Sequence, residues 1–218
     1  KSIFLPNENA FVAMAVLDDQ GHMVCDANVT LTVTDSSNTT TTLTTTNGEI
    51  SISDECKVLG VTNLPDYYTT YKVNGVGTYV MNLTAATANG IRTILDNFTV
   101  QSQVDFDVAR AGPTRIYPPV PYTMNITIAA NSNYNGPVIE YVPASFVITQ
   151  QQGLTVTTVA DVKVLSWDAK LKKGDRISLS YEFDAPDISP EFYLLGELGI
   201  GTWKEARQWQ IASDLVPA

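Results

Sequence analysis

Period-two alternation runs through this chain and constrains its fold more than any other feature. In Val29-Thr30-Leu31-Thr32-Val33-Thr34 the apolar residues take one face and the threonines the other. The same pattern recurs in Tyr79-Val80-Met81-Asn82-Leu83-Thr84, in Tyr122-Thr123-Met124-Asn125-Ile126-Thr127-Ile128 and in Ile177-Ser178-Leu179-Ser180-Tyr181-Glu182-Phe183. One-sided alternation belongs to antiparallel sheets with a wet face, not to parallel sheets covered by helices. Turn signals separate the runs at Asp18-Asp19-Gln20-Gly21, Asn47-Gly48, Asn74-Gly75, Asn89-Gly90, Asn135-Gly136 and Lys172-Lys173-Gly174-Asp175. The expectation is an all-β protein of antiparallel β-sandwiches. Helical character at 201–209 gives way to renewed alternation in Gln208-Trp209-Gln210-Ile211-Ala212, so that stretch reads as a loop entering a last strand.

The composition fits such sheets. Charged residues make up only 17% of the chain, and polarity comes instead from 26 Thr, 13 Ser and 14 Asn. Thr is β-branched and suits a pleated, half-wet surface. With 44% hydrophobic residues the chain can bury a sizeable core, and disorder is excluded. The net charge of −10 argues against nucleic acid and against an anionic membrane surface. No apolar run approaches the ~18–20 residues of a membrane span, and there is no basic-apolar-small leader. The expectation is that targeting segments were removed or that the chain is a piece of something larger.

A length of 218 residues exceeds one sandwich. The boundary is placed near Gln101-Ser102-Gln103, giving one sandwich over 1–102 and a second over 103–218 that carries a C-terminal extension. The nearly all-Thr stretch 38–47 reads as an exposed edge hairpin, because Leu43 and Ile50 flank it in a strand-like frame.

The first half resembles a prokaryotic immunoglobulin-like domain of the intimin/invasin or macroglobulin kind. The likeness rests on Val16-Leu17-Asp18-Asp19-Gln20-Gly21, Ala27-Asn28-Val29 through Val33, Thr46-Asn47-Gly48-Glu49-Ile50 and Gly77-Thr78-Tyr79 through Ala85. It implies that the Asp-x-x-Gly turn joins the first two strands and that Gly-x-Tyr opens a late strand crossing the core. The second half resembles the conserved repeat domain found in tandem on bacterial and archaeal surface proteins. That likeness rests on Tyr122–Ile128, Val142-Pro143-Ala144-Ser145-Phe146, Leu165-Ser166-Trp167 and Leu171-Lys172-Lys173-Gly174-Asp175 with the strand after it. Together the resemblances imply two tandem immunoglobulin-like sandwiches on the outside of a prokaryotic cell.

Five Asn-x-Thr sequons occur, at Asn28, Asn38, Asn82, Asn97 and Asn125, against about one or two by chance. Two readings stay open. One is N-glycosylation of an exported protein. The other is strand alternation, which puts Asn and Thr on the wet face with an apolar residue between them. Cys25 and Cys56 read as one disulfide in an oxidising setting, with two buried thiols as the alternative. Asp105 and Asp107 alternate near the boundary and are candidate calcium ligands, set against solvated turn acids, because no full calcium loop is present. Trp203 and Trp209 are a candidate sugar-stacking platform, whereas Trp167 reads as core.

The lone His22 sits in a turn with no marked nucleophile, no set of zinc partners accompanies it, and there is no phosphate-cradling Gly loop. The chain is therefore expected not to be an enzyme. The leading expectation is a subunit of an extracellular filament, sheath or surface layer. It would self-associate, or join other surface proteins, by strand addition through Ser2, Ile3, Phe4 and Leu5. The alternatives are an adhesion or carbohydrate-binding module and a spacer segment of a larger surface protein.

Overall fold

The computed structural model describes residues 1–58, 62 and 64–214. The described residues form strands, turns and loops, with no helix. In chain order the strands are β1 (Ile3–Phe4), β2 (Asn9–Met14), β3 (Asn28–Thr34), β4 (Thr40–Thr44), β5 (Ser51–Ile52), β6 (Tyr67–Lys72), β7 (Gly77–Thr87), β8 (Gly90–Val100), β9 (Phe106–Ala111) and β10 (Arg115–Ile116). They continue as β11 (Tyr122–Ala130), β12 (Tyr134–Pro143), β13 (Val147–Ile148), β14 (Thr155–Val159), β15 (Val162–Leu171), β16 (Arg176–Asp184), β17 (Glu191–Leu195), β18 (Gly199–Ile200), β19 (Trp203–Lys204) and β20 (Trp209–Ser213).

These strands pack as immunoglobulin-like antiparallel sandwiches around two separate buried clusters, one drawn from residues 4–100 and the other from 106–211. In the first unit a five-stranded sheet, β1-β8-β7-β3-β4, is backed by the three-stranded β2-β6-β5. Its inward row is the apolar phase of the alternation: Val29, Leu31 and Val33 are fully buried, with Tyr79, Met81 and Phe98 beside them. Each such aliphatic side chain contributes about 1.5–3 kcal/mol on burial. In the second unit β13-β16-β11-β9 packs on β14-β15-β12-β18-β19, and a third sheet, β10-β20-β17, closes the end facing the first unit. Trp167 lies in this core.

Several local expectations are realised. The Thr-rich stretch forms β4 on the edge of its sheet, paired to β3. Asp18 and His22 close the turn joining the Leu17–Met23 bridge, and β7 opens at Gly77. One expectation is corrected. Asn135-Gly136 is no turn; it lies inside β12, where a Cβ on Gly136 would come within 2.8 Å of the Tyr134 hydroxyl. The glycine thus makes room for that ring, whose hydroxyl donates to the Pro137 carbonyl at 2.7 Å. The C-terminal segment packs into the second unit. Tyr193, Leu195, Leu198, Ile200 and Ile211 are buried in the second core, and β18 pairs with the edge of β12.

Candidate functional site at the junction of the two units

A buried charge cluster sits where the units meet. Arg115, on the two-residue β10, reaches into the first unit. Its Nε and Nη2 donate to both oxygens of Asp66 at 2.8 and 2.9 Å, and Nη2 also approaches the carbonyls of Cys56 and Val58 at 3.2 Å. Its Nη1 donates to Asp214, just beyond β20, at 2.6 Å. All three side chains are at most 3% exposed. Burial pushes the Asp66 carboxyl above its ordinary value, while Arg115 pulls it back; burial disfavours the Arg115 cation, but the two carboxylates hold its pKa above the ordinary value. Cys25 and Cys56 form a disulfide that fixes the loop offering the Cys56 carbonyl.

Further bonds cross the junction. Asp96 accepts from Arg207 at 2.7 Å and from Gln210 at 3.0 Å. The Ser2 hydroxyl accepts from the Ala206 amide at 3.0 Å. Lys1 Nζ bridges Glu8 and Asp107 at 2.7 and 2.8 Å. Gly21, at φ +89°, packs so closely on Ser189 that a Cβ would lie 2.3 Å from its hydroxyl oxygen. A cleft of about 800 Å³ opens between these contacts. Its walls include Val12, Met14 and Ile94 of the first unit and Tyr122, Phe192 and Trp209 of the second. The charged groups on these walls, Lys1, Asp66, Asp96, Arg110, Arg115 and Arg207, are all engaged in ion pairs.

Deeper in the second unit, Arg110 lies between Glu140 and Glu205, with Nη1 and Nη2 each 2.7 Å from Glu140 and Nε 2.9 Å from Glu205. The Tyr181 hydroxyl donates to Glu140 at 3.0 Å. Burial raises the Glu140 pKa against the pull of Arg110. Burial, and then the Glu140 charge, lift Tyr181 well above its ordinary value.

The residues expected to carry function are placed as follows. Ser2 to Leu5 do not form a free joint, which corrects the strand-addition expectation. Ile3 and Phe4 pair in parallel with Thr99 and Val100 of the same chain, Ser2, Ile3 and Phe4 are buried, and Phe4 packs edge-on against Phe98. The apolar N-terminal residues are spent on closing their own sheet. Asp105 and Asp107, the candidate calcium ligands, are each engaged with another group. The Asp107 carboxylate holds the Lys1 ammonium and Asp105 accepts from Ser132 at 2.6 Å. Among the described residues no group of three or more His, Cys, Asp or Glu is arranged to hold a metal.

Trp203 and Trp209 form no exposed platform. Trp203 meets Phe106 edge-on and its Nε1 is buried, while Trp209 Nε1 donates to the Pro113 carbonyl at 2.8 Å. All five sequon asparagines are exposed. Arg110, Arg115, Glu140, Glu205 and Asp66 were not expected as site residues. A signal existed for two of them. Arg110 continues the phase of Phe106 and Val108, and Glu140 sits between Val138 and Val142, so each places a charge on an apolar face.

No family model matches the chain, and no curated protein matches it. Among solved structures it is similar to trypsin-activated alpha-2-macroglobulin from Escherichia coli (12% identity, TM-score 0.34), covering 100% of this chain and 15% of that one. It is similar too to Salmonella alpha-2-macroglobulin reacted with methylamine (15%, 0.34), covering 100% of this chain and 14% of that one. A third is chitinase ChiA74 from Bacillus thuringiensis (11%, 0.26), covering 79% and 26%. The chain spans only about a seventh of the two macroglobulins. Likeness at this level carries no argument about what the protein does.

Proposed function

We propose that the protein is a non-catalytic, extracellular structural protein of a prokaryotic cell surface, a rigid building subunit of a filament, sheath or layer. The observation supporting this reading is the buried Arg115–Asp66–Asp214 cluster, which ties two sandwiches into one stiff piece. A catalytic cleft needs free groups poised to gain or lose protons, whereas the charges at this junction are tied to one another in ion pairs. The disulfide agrees with an oxidising setting.

With the N-terminal strand consumed inside its own sheet, subunit contacts fall to the exposed sheet edges. The foremost is β14, an edge strand in which Thr155, Thr157, Thr158 and Val159 are exposed. An unprotected edge of this kind templates pairing with another chain. Light scattering on the native protein at physiological salt tests the reading. A mass of many 23.7 kDa chains is expected, and Val159→Lys, which plants a charge on that edge, is expected to dissociate it. A monomer at all concentrations overturns the subunit reading.

A further inference from the structure

The geometry points to one face of the first unit as a sugar-coated face, bearing N-linked glycans at Asn28, Asn82 and Asn97. This deepens the extracellular reading above and rests on it.

The face is the outward side of β3, β4, β7 and β8. Register fixes its membership, because directly opposed residues of antiparallel strands point the same way. Inward Val29, Leu31 and Val33 set Asn28, Thr30, Thr32 and Thr34 outward, and Thr32 opposes Asn82, which in turn opposes Leu95. Asn97 opposes Val80 and Asn28 opposes Ala86. Three sequons that lie far apart in sequence therefore share one surface. Asn38, at φ 62° in the β3–β4 turn, stands at its rim. Asn125 lies elsewhere, on β11 beside the inter-unit cleft.

Alternation alone puts Asn and Thr outside, so the sequons need a second observation, and the face supplies two. First, it carries no Asp, Glu, Lys or Arg on any of the four strands, in a protein whose net charge is −10. Second, it exposes large apolar side chains among the threonines: Leu95 is 69% exposed, Ile91 67% and Val80 47%. A flat, uncharged surface studded with Leu, Ile and Val is an association hazard when bare. Sugars supply hydration where charge is absent. Asn82 directly opposes Leu95 and Asn97 directly opposes Val80, so a glycan on either asparagine overhangs these apolar side chains. Asn28 sits across Ala86 from Ile91. Asn82 and Asn97 are diagonal neighbours, about 7–8 Å apart in an antiparallel pair, so the two glycans crowd each other and occupancy is expected to be uneven between them.

Peptide mass spectrometry on protein purified from the cells that naturally make it reads the three sites directly. Sugar on two or three of Asn28, Asn82 and Asn97 supports the inference. Sugar on one or none overturns it, including when Asn38 or Asn125 is modified instead. The covering role has its own readout. The chain made in a host without N-glycosylation, and folded as judged by circular dichroism, is expected to bind a hydrophobic dye about twofold more strongly than the native form. Leu95→Thr is expected to lower that excess. Equal dye binding by the two forms overturns the covering role. Light scattering on the same samples separates the two readings: a multimer with a bare face overturns this inference alone, and a glycosylated monomer overturns the subunit reading alone.

Discussion

Replacing Arg115 with Met tests the junction most directly. The guanidinium makes five polar contacts, at 2.8 and 2.9 Å to Asp66, 2.6 Å to Asp214 and 3.2 Å to each of two carbonyls. Met preserves much of the side-chain volume but leaves two carboxylates, 2% and 1% exposed, without that cation. Breaking a buried pair from one side costs about 3–5 kcal/mol, mostly because the orphaned charges stay buried. The loss should depend on pH. With Arg115 gone, burial holds the Asp66 carboxyl still higher, and protonation relieves the penalty at about 1.4 kcal/mol per pH unit below the new pKa. The loss is therefore expected to be full at neutral pH and to shrink as the pH falls toward the ordinary value of 3.8. Urea unfolding of both proteins at several pH values reads this, and the Arg variant should also split one transition into two as the units uncouple. As a control, Arg92→Met breaks a pair whose side chains are 61% and 65% exposed, and it should cost no more than about 1 kcal/mol. A loss below about 1 kcal/mol for Arg115→Met at neutral pH would refute the reasoning, since it would mean that water already screens the cluster.

Other perturbations test separate parts of the structure. Asp66 and Glu140 both sit above their ordinary values of 3.8 and 4.5 because of burial. A raised folded pKa means more protons bound when folded, so their stability contribution is full below the ordinary values and is lost as pH rises through the raised ones. The urea midpoint should accordingly hold or rise on mild acidification from neutral, and a steady fall over that interval would contradict it. Reducing the Cys25–Cys56 bond, with a sequence separation of 31, should cost about 3–4 kcal/mol by loop entropy. Denaturant unfolding with and without reductant measures that loss. Gly77→Ala should destabilise by about 1–3 kcal/mol, because φ is +132° and a Cβ would lie 2.4 Å from that of Ser36; an unchanged melting temperature would show that the β3–β4 turn yields.

How much was legible in advance varies by element. The inward rows Val29-Leu31-Val33 and Met124-Ile126-Ile128 were plain in the sequence, because strand periodicity is a local property and burial follows its phase. The Cys25–Cys56 pairing was legible because only two cysteines exist. The junction was not. Arg115 occupies a two-residue strand with no period to read, and its partners Asp66 and Asp214 are 49 and 99 residues away. Charges inside apolar phases, such as Arg110, Glu140 and Asp96 between Ile94 and Phe98, were visible as anomalies, but their partners were not.

The N-terminal segment shows the division of labour most clearly. Its apolar residues pointed to pairing with a sheet edge, and the expectation put that edge on another subunit. Only the tertiary structure decided that the edge is β8 of the same chain. The sequence by itself determined strands, their wet and dry faces and the chemistry written on each, because those follow from alternation within a few residues. Which edges meet, which charges neutralise one another and which sequons share a face depend on pairing across long loops. That pairing is chosen by the burial of the whole core rather than by any short stretch.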